Sequence, residues 1–315
     1  MMEKIYISDL KKHLNQDIIS DFLIVRKELR SGAKDQYLRL EIADKTGSMI
    51  GNIWSNAEVF NEAFAEGDVL RIKAKVISYK NQLQLNISKI DKLYENEYDL
   101  ADFMETTSKD INSLSAKFFQ FVDRIKEPQL KNLLLLIFED KGFFTKFAQA
   151  PAAKTWHHNY LGGLLEHTVS IAQICEFVSN LYQLDKDLLI AGALLHDIGK
   201  VFEYDNFRVI DFTVEGRLIG HITLGDQLVC SKAREINNFP PVLLMKLRHL
   251  ILSHHGEYEK ASARLPQMLE AVVLHHADNL DAQTVGVLQT INRPVEENAQ
   301  WSEFDRLNER YYFLK

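Results

Sequence analysis

The chain has 315 residues, 46% of them hydrophobic and 26% charged, with a formal net charge of −7. That balance is globular and excludes a disordered chain, and at about 150 residues per domain the length suits two domains. The charge is uneven: residues 1–95 carry 15 Lys+Arg against 14 Asp+Glu and the remainder 22 against 30, which excludes a broad basic face in the second part. It does not exclude a nucleic-acid substrate, because bound metal ions change the local field.

Residues 1–95 have strand rhythm. Ile18–Leu29 holds the apolar run Phe22-Leu23-Ile24-Val25, Tyr37–Ile42 alternates, and Asp44-Lys45-Thr46-Gly47 supplies a turn into Met49–Trp54. Ala57–Phe64 suits one short helix, and Gly67-Asp68 opens Val69–Ile77. Asn81-Gln82 then turns the chain into the strictly alternating Leu83–Ile87. Five strands with a short helix between the third and fourth are the element order of an OB-type β-barrel. Such barrels hold single strands by stacking bases on aromatic rings while cations follow the backbone. Tyr37 and Trp54 are the aromatic candidates, beside Phe22 and Tyr79. Arg71, Lys73 and Lys75 alternate and so place three cations on one strand face. Aromatic residues in a small barrel serve equally well as core, so the residues alone leave both roles open. A domain so close to neutral predicts modest, salt-sensitive affinity.

Residues 96–108 are polar and acidic and read as a linker, with Thr106-Thr107-Ser108 offering caps for a following helix. From 109 to 315 the period is helical. Leu133–Phe138 is a buried turn. In a helix spanning Leu161–Leu181, the residues Leu164, Leu165, Val169, Ala172 and Cys175 share one stripe. Val242–Ser253 ends at His254-His255-Gly256, where glycine suits the position after a helix. Pro266 opens a helix running through Leu288, where its missing N–H does no harm, and Phe207–Val214 suits a short β excursion. The expected fold is an N-terminal all-β OB-type barrel (1–95) followed by a C-terminal all-α domain (109–315).

Six residues of the helical part stand out: His167, the adjacent pair His196-Asp197, His221, His254 and Asp278. Taken singly each has a plain reading. His167 and His221 could be core histidines bonded to carbonyls, His254-His255 a positive end on a helix C-terminus, and Asp278 a solvated carboxylate. Their combination points elsewhere. Seven of the 11 histidines fall at 167, 196, 221, 254, 255, 275 and 276. Each candidate lies on or beside a strongly apolar helix, where an unpaired polar group costs roughly 1–3 kcal/mol. One shared metal ion explains them together. Imidazole with carboxylate suits Mn²⁺, Fe²⁺, Co²⁺ or Zn²⁺. Adjacent His and Asp cannot both face inward from a regular helix, but they can at a helix end, and Gly199 follows this pair.

In this order the residues resemble the HD-domain metal-dependent phosphohydrolases over roughly residues 150–290, on His196-Asp197-Ile198-Gly199-Lys200 with all flanking candidates in place. Two further histidines between that pair and the final Asp resemble the binuclear subset. The whole layout adds Pro151-Ala152-Ala153-Lys154, His157-His158, Gly162-Gly163-Leu164-Leu165-Glu166-His167-Thr168 and Ser253-His254-His255-Gly256. With the barrel in front, it is similar to the YhaM-type 3′→5′ exoribonucleases. That resemblance implies trimming of single-stranded RNA, and of single-stranded DNA as a further substrate, with Mn²⁺ foremost and Co²⁺ or Fe²⁺ as other ions. The direction of trimming rests on the resemblance alone.

On that resemblance two ions share Asp197, with His167, His196 and Asp278 mainly on one and His221 and His254 mainly on the other. The pattern does not decide between His254 and His255, and His254 is taken. Asp197 and Lys200 form the expected catalytic set, Lys200 meeting a phosphate oxygen. His157-His158 either face the substrate entrance or cap the next helix, and His275-His276 read as supporting residues. Close packing is the reading for Gly162-Gly163. The alternative within the same chemistry is an HD-type phosphohydrolase of nucleotides or cyclic dinucleotides, with the barrel as a regulatory or oligomerisation module. A binding protein with a vestigial metal site is disfavoured by the intact candidate set. Two distant cysteines, Cys175 and Cys230, read as free thiols of a reducing cytoplasm. Met1-Met2-Glu3-Lys4-Ile5-Tyr6 lacks a signal pattern, and no apolar run reaches the ~18 residues of a membrane helix. A homo-oligomer is compatible with the sequence.

Overall fold

A computed structural model of the chain describes residues 4–32, 35–80, 82–154, 156–205, 210–293, 295 and 299–314. The chain divides into two units, Met1–Glu105 and a second built from Thr106–Asn206 with Ile210–Lys315.

The first unit is a closed barrel of β1 (Asp17–Ser31), β2 (Gln36–Asp44), β3 (Gly47–Ile53), β4 (Val69–Tyr79) and β5 (Gln82–Lys92), in the order β1-β2-β3-β5-β4. Helix α1 (Ala57–Ala63) lies between β3 and β4, as the sequence predicts. All pairings are antiparallel except β3 with β5. Alternation carries Leu38, Leu40 and Ile42 of β2 and Leu70, Ile72, Ala74 and Val76 of β4 inward, where they are buried. Closure leaves no open edge to pair with another chain. The turn residue Asn81 lies outside the described residues. The stretch read as a linker is partly packed. After short 3-10 turns at Glu95–Glu97 and Leu100–Asp102, Phe103 is buried against Leu23, Val69 and Leu93.

The second unit is helical: α2 (Ile111–Arg124), α3 (Pro128–Phe138), α4 (Lys141–Gln149), α5 (Gly163–Ser179), α6 (Lys186–Leu195), α7 (Lys200–Glu203), α8 (Val214–Ile219), α9 (His221–Glu235), α10 (Pro241–Ser253) and α11 (Leu269–Ile291). Asp110 rather than Thr106–Ser108 caps α2, its carboxylate accepting from the N–H groups of Asn112 and Ser113. Thr107 is drawn away because its hydroxyl bonds Glu166. An aromatic cluster joins α2, α3 and α4, with Phe118 and Phe138 rings 4.6 Å apart. Helix α6 is apolar on every side and buried from Leu188 to Leu195, which marks it as the central helix. Helices α5, α10 and α11 all pack on it.

Two expectations shift. Helix α11 begins at Leu269 rather than at Pro266, because Met268 is extended and the Gln267 N–H is held by His249 Nε2 at 2.9 Å. The β excursion is a two-residue pairing of β6 (Tyr204–Asp205) with β7 (Asp211–Phe212), and 207–209 of the expected span lie outside the described residues. Among the described residues no helix is long and apolar enough to cross a membrane.

Candidate metal centre

Two of the histidines reach the centre by the same device. His196 follows α6 and His254 follows α10, each as the helix C-cap. The last carbonyls of a helix have no intrahelical partner. His196 Nδ1 donates to Ala193 O at 2.8 Å and His254 Nδ1 donates to Ile251 O at 2.7 Å, three residues back in each case. The proton is thereby fixed on Nδ1, and the Nε2 lone pair points past the helix end. Asp197, one residue on, leaves the helix and turns inward as well.

His221 opens α9, where Glu203 accepts from both its backbone N–H (2.9 Å) and its Nδ1 (3.0 Å). His167 on α5 gives its Nδ1–H to Asp281 at 2.7 Å. Each of the four imidazoles is therefore oriented by an acceptor on Nδ1, the arrangement that fixes tautomer and direction in metal-binding histidines. Asp278 and Asp281 sit three apart on α11 and share its face. The chain carrying the His-Asp pair passes very close to α9. A Cβ on Gly199 would lie 1.9 Å from His221 O and 2.6 Å from Gly225 N, so no larger residue fits there.

Asp197 is the hub. Its Oδ2 lies 3.4 Å from His167 Nε2 and 3.3 Å from His196 Nε2. Its Oδ1 lies 3.4 Å from both His221 Nε2 and His254 Nε2. Asp278 Oδ1 joins the first group, 3.2 Å from His167 Nε2. Donor atoms about 2.1 Å from a common ion stand roughly 3.0–3.4 Å apart, and these spacings agree. Asp197 Oδ1, His221 Nε2 and His254 Nε2 are buried without a hydrogen-bond partner among the described residues, a state that native interiors avoid unless something else meets those atoms. The residues around Asp197 therefore fit divalent metal.

The electrostatics agree. Burial pushes the Asp197 carboxyl up, but Lys200 and His196 outweigh it and hold it well below the ordinary carboxylate range. Burial also opposes charge on His167, yet its bonds to Asp197, Asp278 and Asp281 hold its proton well above the ordinary imidazole range. Metal binding has to displace such a proton. Burial drives His254 down, and it takes His255 and His157 to about 3, which leaves those rings neutral.

All six candidates from the sequence come together, and four further residues join them. His255 belongs to the group formed by Asp197, His221 and His254, their potential ligand atoms all lying within 4.8 Å of one another; its Nδ1 donates to Lys260 O at 2.7 Å. A Cβ on Gly256 would meet the His275 ring at 2.2 Å, and its φ of +76° turns the chain there. His275 Nδ1 donates to His254 O, whereas His276 is exposed. The other additions are Asp281, Glu203 and His158. His158 Nε2 meets Asp281 Oδ2 at 2.9 Å, and its Nδ1 meets Tyr160, whose hydroxyl donates to Glu166. His158, His167 and Asp281 are also close enough to hold an ion, but His167 Nδ1 carries the proton shared with Asp281, so this trio is a support for His167. Asp281 was visible only as an i+3 partner of Asp278. Lys200, expected to meet a phosphate oxygen, is buried with Nζ 2.6 Å from Asp197 Oδ2.

On the barrel, Tyr37 and Trp54 stack at 4.7 Å and 26° with Trp54 53% exposed. Phe22, by contrast, is core. Lys73 and Lys75 are exposed on β4, while Arg71 is held bidentately by Asp21 at 2.8 and 2.9 Å. The register makes Arg39, Asn52, Asn86 and Lys75 lateral neighbours across β2, β3, β5 and β4. In this row Asn86 and Lys75 are exposed and Arg39 half-buried, whereas Asn52 is buried and its amide donates to Gln84 Oε1 at 3.2 Å.

Residues 164–283 match the HD domain family, and residues 23–93 match the OB-fold nucleic acid binding domain family. Similar solved structures include the p204 HINb domain (19% identity, 29% of this chain and 47% of that one, TM-score 0.25). Another is the second OB-fold domain of replication protein A from Methanococcus maripaludis (21%, 30% and 97%, TM-score 0.25). A third is the L. monocytogenes phosphodiesterase PgpH HD domain (18%, 54% and 77%, TM-score 0.29). The chain spans about half the length of the first of these. At such scores none of the three likenesses carries further weight.

Proposed function

We propose that this chain, an HD domain behind an OB-fold nucleic acid binding domain, is a divalent-metal-dependent phosphodiesterase that trims single-stranded RNA from its 3′ end, with single-stranded DNA as a further substrate. The observation that carries the hydrolytic part is Asp197, whose two oxygens each face a separate pair of histidine nitrogens. When bound, divalent ions there neutralise charge on a phosphoryl group and lower the pKa of an attacking water.

His167, His196 and Asp278 would hold metal on one side of Asp197, and His221, His254 and His255 on the other. Glu203, Asp281 and two helix-end carbonyls keep the imidazoles aimed. Lys200 supplies a buried positive charge beside Asp197 and is the residue proposed to meet a phosphoryl oxygen. The Tyr37–Trp54 pair and the exposed Lys73 and Lys75 suit a single strand, with bases on rings and phosphates by lysines. The 3′→5′ direction and the preference for RNA follow from the sequence resemblance.

The test is a time course on single-stranded RNA labelled at its 5′ end, with Mn²⁺ and with a chelator. A Mn²⁺-dependent ladder shortening from the 3′ end is expected. Intact RNA alongside hydrolysis of nucleotides or cyclic dinucleotides would replace the polymer reading with the small-molecule one.

A further inference from the structure

His157 has no part in holding the centre, yet it lies against it. Its ring centroid is 5.7 Å from that of His167 and 5.1 Å from that of Trp156. Its charged surroundings include Lys200 and Asp278, both members of the centre. Its Nδ1 is buried and has no hydrogen-bond partner among the described residues. The backbone places it there at a cost, with φ of +20° at His157 and +49° at His158, a region that non-glycine residues rarely enter. The two neighbours then diverge. His158 bonds Asp281, and His157 is left with a polar atom that none of the described residues uses. Nor, among the described residues, does it belong to any of the groups of converging ligand atoms. A buried nitrogen of this kind calls for an explanation, and a substrate atom supplies one.

We infer that His157 is a substrate-binding residue of the catalytic centre, donating a hydrogen bond from Nδ1–H to a non-bridging oxygen of the scissile phosphodiester. The inference rests on the phosphodiesterase reading above. Charge on those oxygens is what a phosphoryl-transfer site must stabilise, and a donor whose position the fold already sets does so without reorganising.

The test uses the full-length chain loaded with Mn²⁺, bis(p-nitrophenyl) phosphate as substrate, and metal content measured on the same samples. The amide nitrogen of an asparagine falls near the place of Nδ1, whereas that of a glutamine falls near Nε2. His157→Ala and His157→Gln are expected to lose roughly 10²–10³-fold in kcat, and His157→Asn to stay within about 10-fold of the parent, all with unchanged metal content. His157→Asp, which can accept but not donate, should be as poor as His157→Ala. Full activity in His157→Ala, equal losses in His157→Asn and His157→Gln, or metal lost in step with activity would each overturn the role. A parent chain that is inert toward the ester, with its metal in place, removes the phosphodiesterase reading and this one with it.

Discussion

In the barrel, the side chains proposed to meet a ligand point outward from an interior that is apolar, and water or a neighbouring charge satisfies them. Arg71 is paired with Asp21, and Trp54 is half exposed on its stacked partner Tyr37. In the helical unit, the corresponding side chains are the interior. His167, His196, Asp197 and His254 are almost wholly buried, and each depends on a further group for its direction. The difference concerns tolerance. An outward side chain can be removed with little consequence for its neighbours, whereas a buried donor set works as a unit, because losing one member leaves others charged or unpaired at roughly 1–3 kcal/mol each, and more for a charge.

The largest effect should follow from Asp197→Ala, which removes the group common to both halves of the centre. Hydrolysis of RNA and of a small phosphodiester should disappear together, while RNA binding measured by fluorescence anisotropy stays within a few-fold. Turnover that persists with metal still bound would break the contrast at its strongest point. Asp281→Asn should come next, since it touches the centre only through His167. Mn²⁺ affinity by calorimetry should fall about 10–100-fold, the usual cost of losing an outer partner of a metal-binding histidine. An unchanged affinity would mean that a neutral amide oxygen orients His167 as well as the carboxylate does.

The barrel should answer more gently. Trp54→Ala should weaken single-stranded RNA binding by about 1–3 kcal/mol, as for one lost stacking contact. Lys75→Ala should do less, lowering the slope of log affinity against log salt by about 0.7. Neither should alter cleavage of a small ester. A barrel substitution that slowed ester cleavage would erase the distinction between the two regions.

The sequence is legible where the physics is local. Period-two alternation in β2 and β4 needs only neighbouring residues, and so does the short helix Ala57–Ala63. The six candidates were legible because four imidazoles and two carboxylates lay on or beside apolar helical stretches, which is conspicuous in one dimension. Their supports were not. Asp281 matters because His167 and His158 meet it from 114 and 123 residues away. Glu203 matters because a turn of chain returns His221 to it. Before folding, both look like ordinary acidic residues on helices. The cap of α2 shows the same limit at short range. Thr107 read as a cap in the sequence, but Glu166, 59 residues on, takes its hydroxyl and Asp110 caps the helix.

Helix ends are where a folded chain usually frays first. At α6 and α10 the residue that ties off the end, His196 or His254, is also one whose other nitrogen faces Asp197. An ion held at Asp197 would restrain those imidazoles and, through them, the Ala193 and Ile251 carbonyls. Metal occupancy and the opening of two helix termini would then be one equilibrium. The rate at which the last amides of α6 and α10 exchange their hydrogens with solvent should then report how full the centre is, without any substrate present.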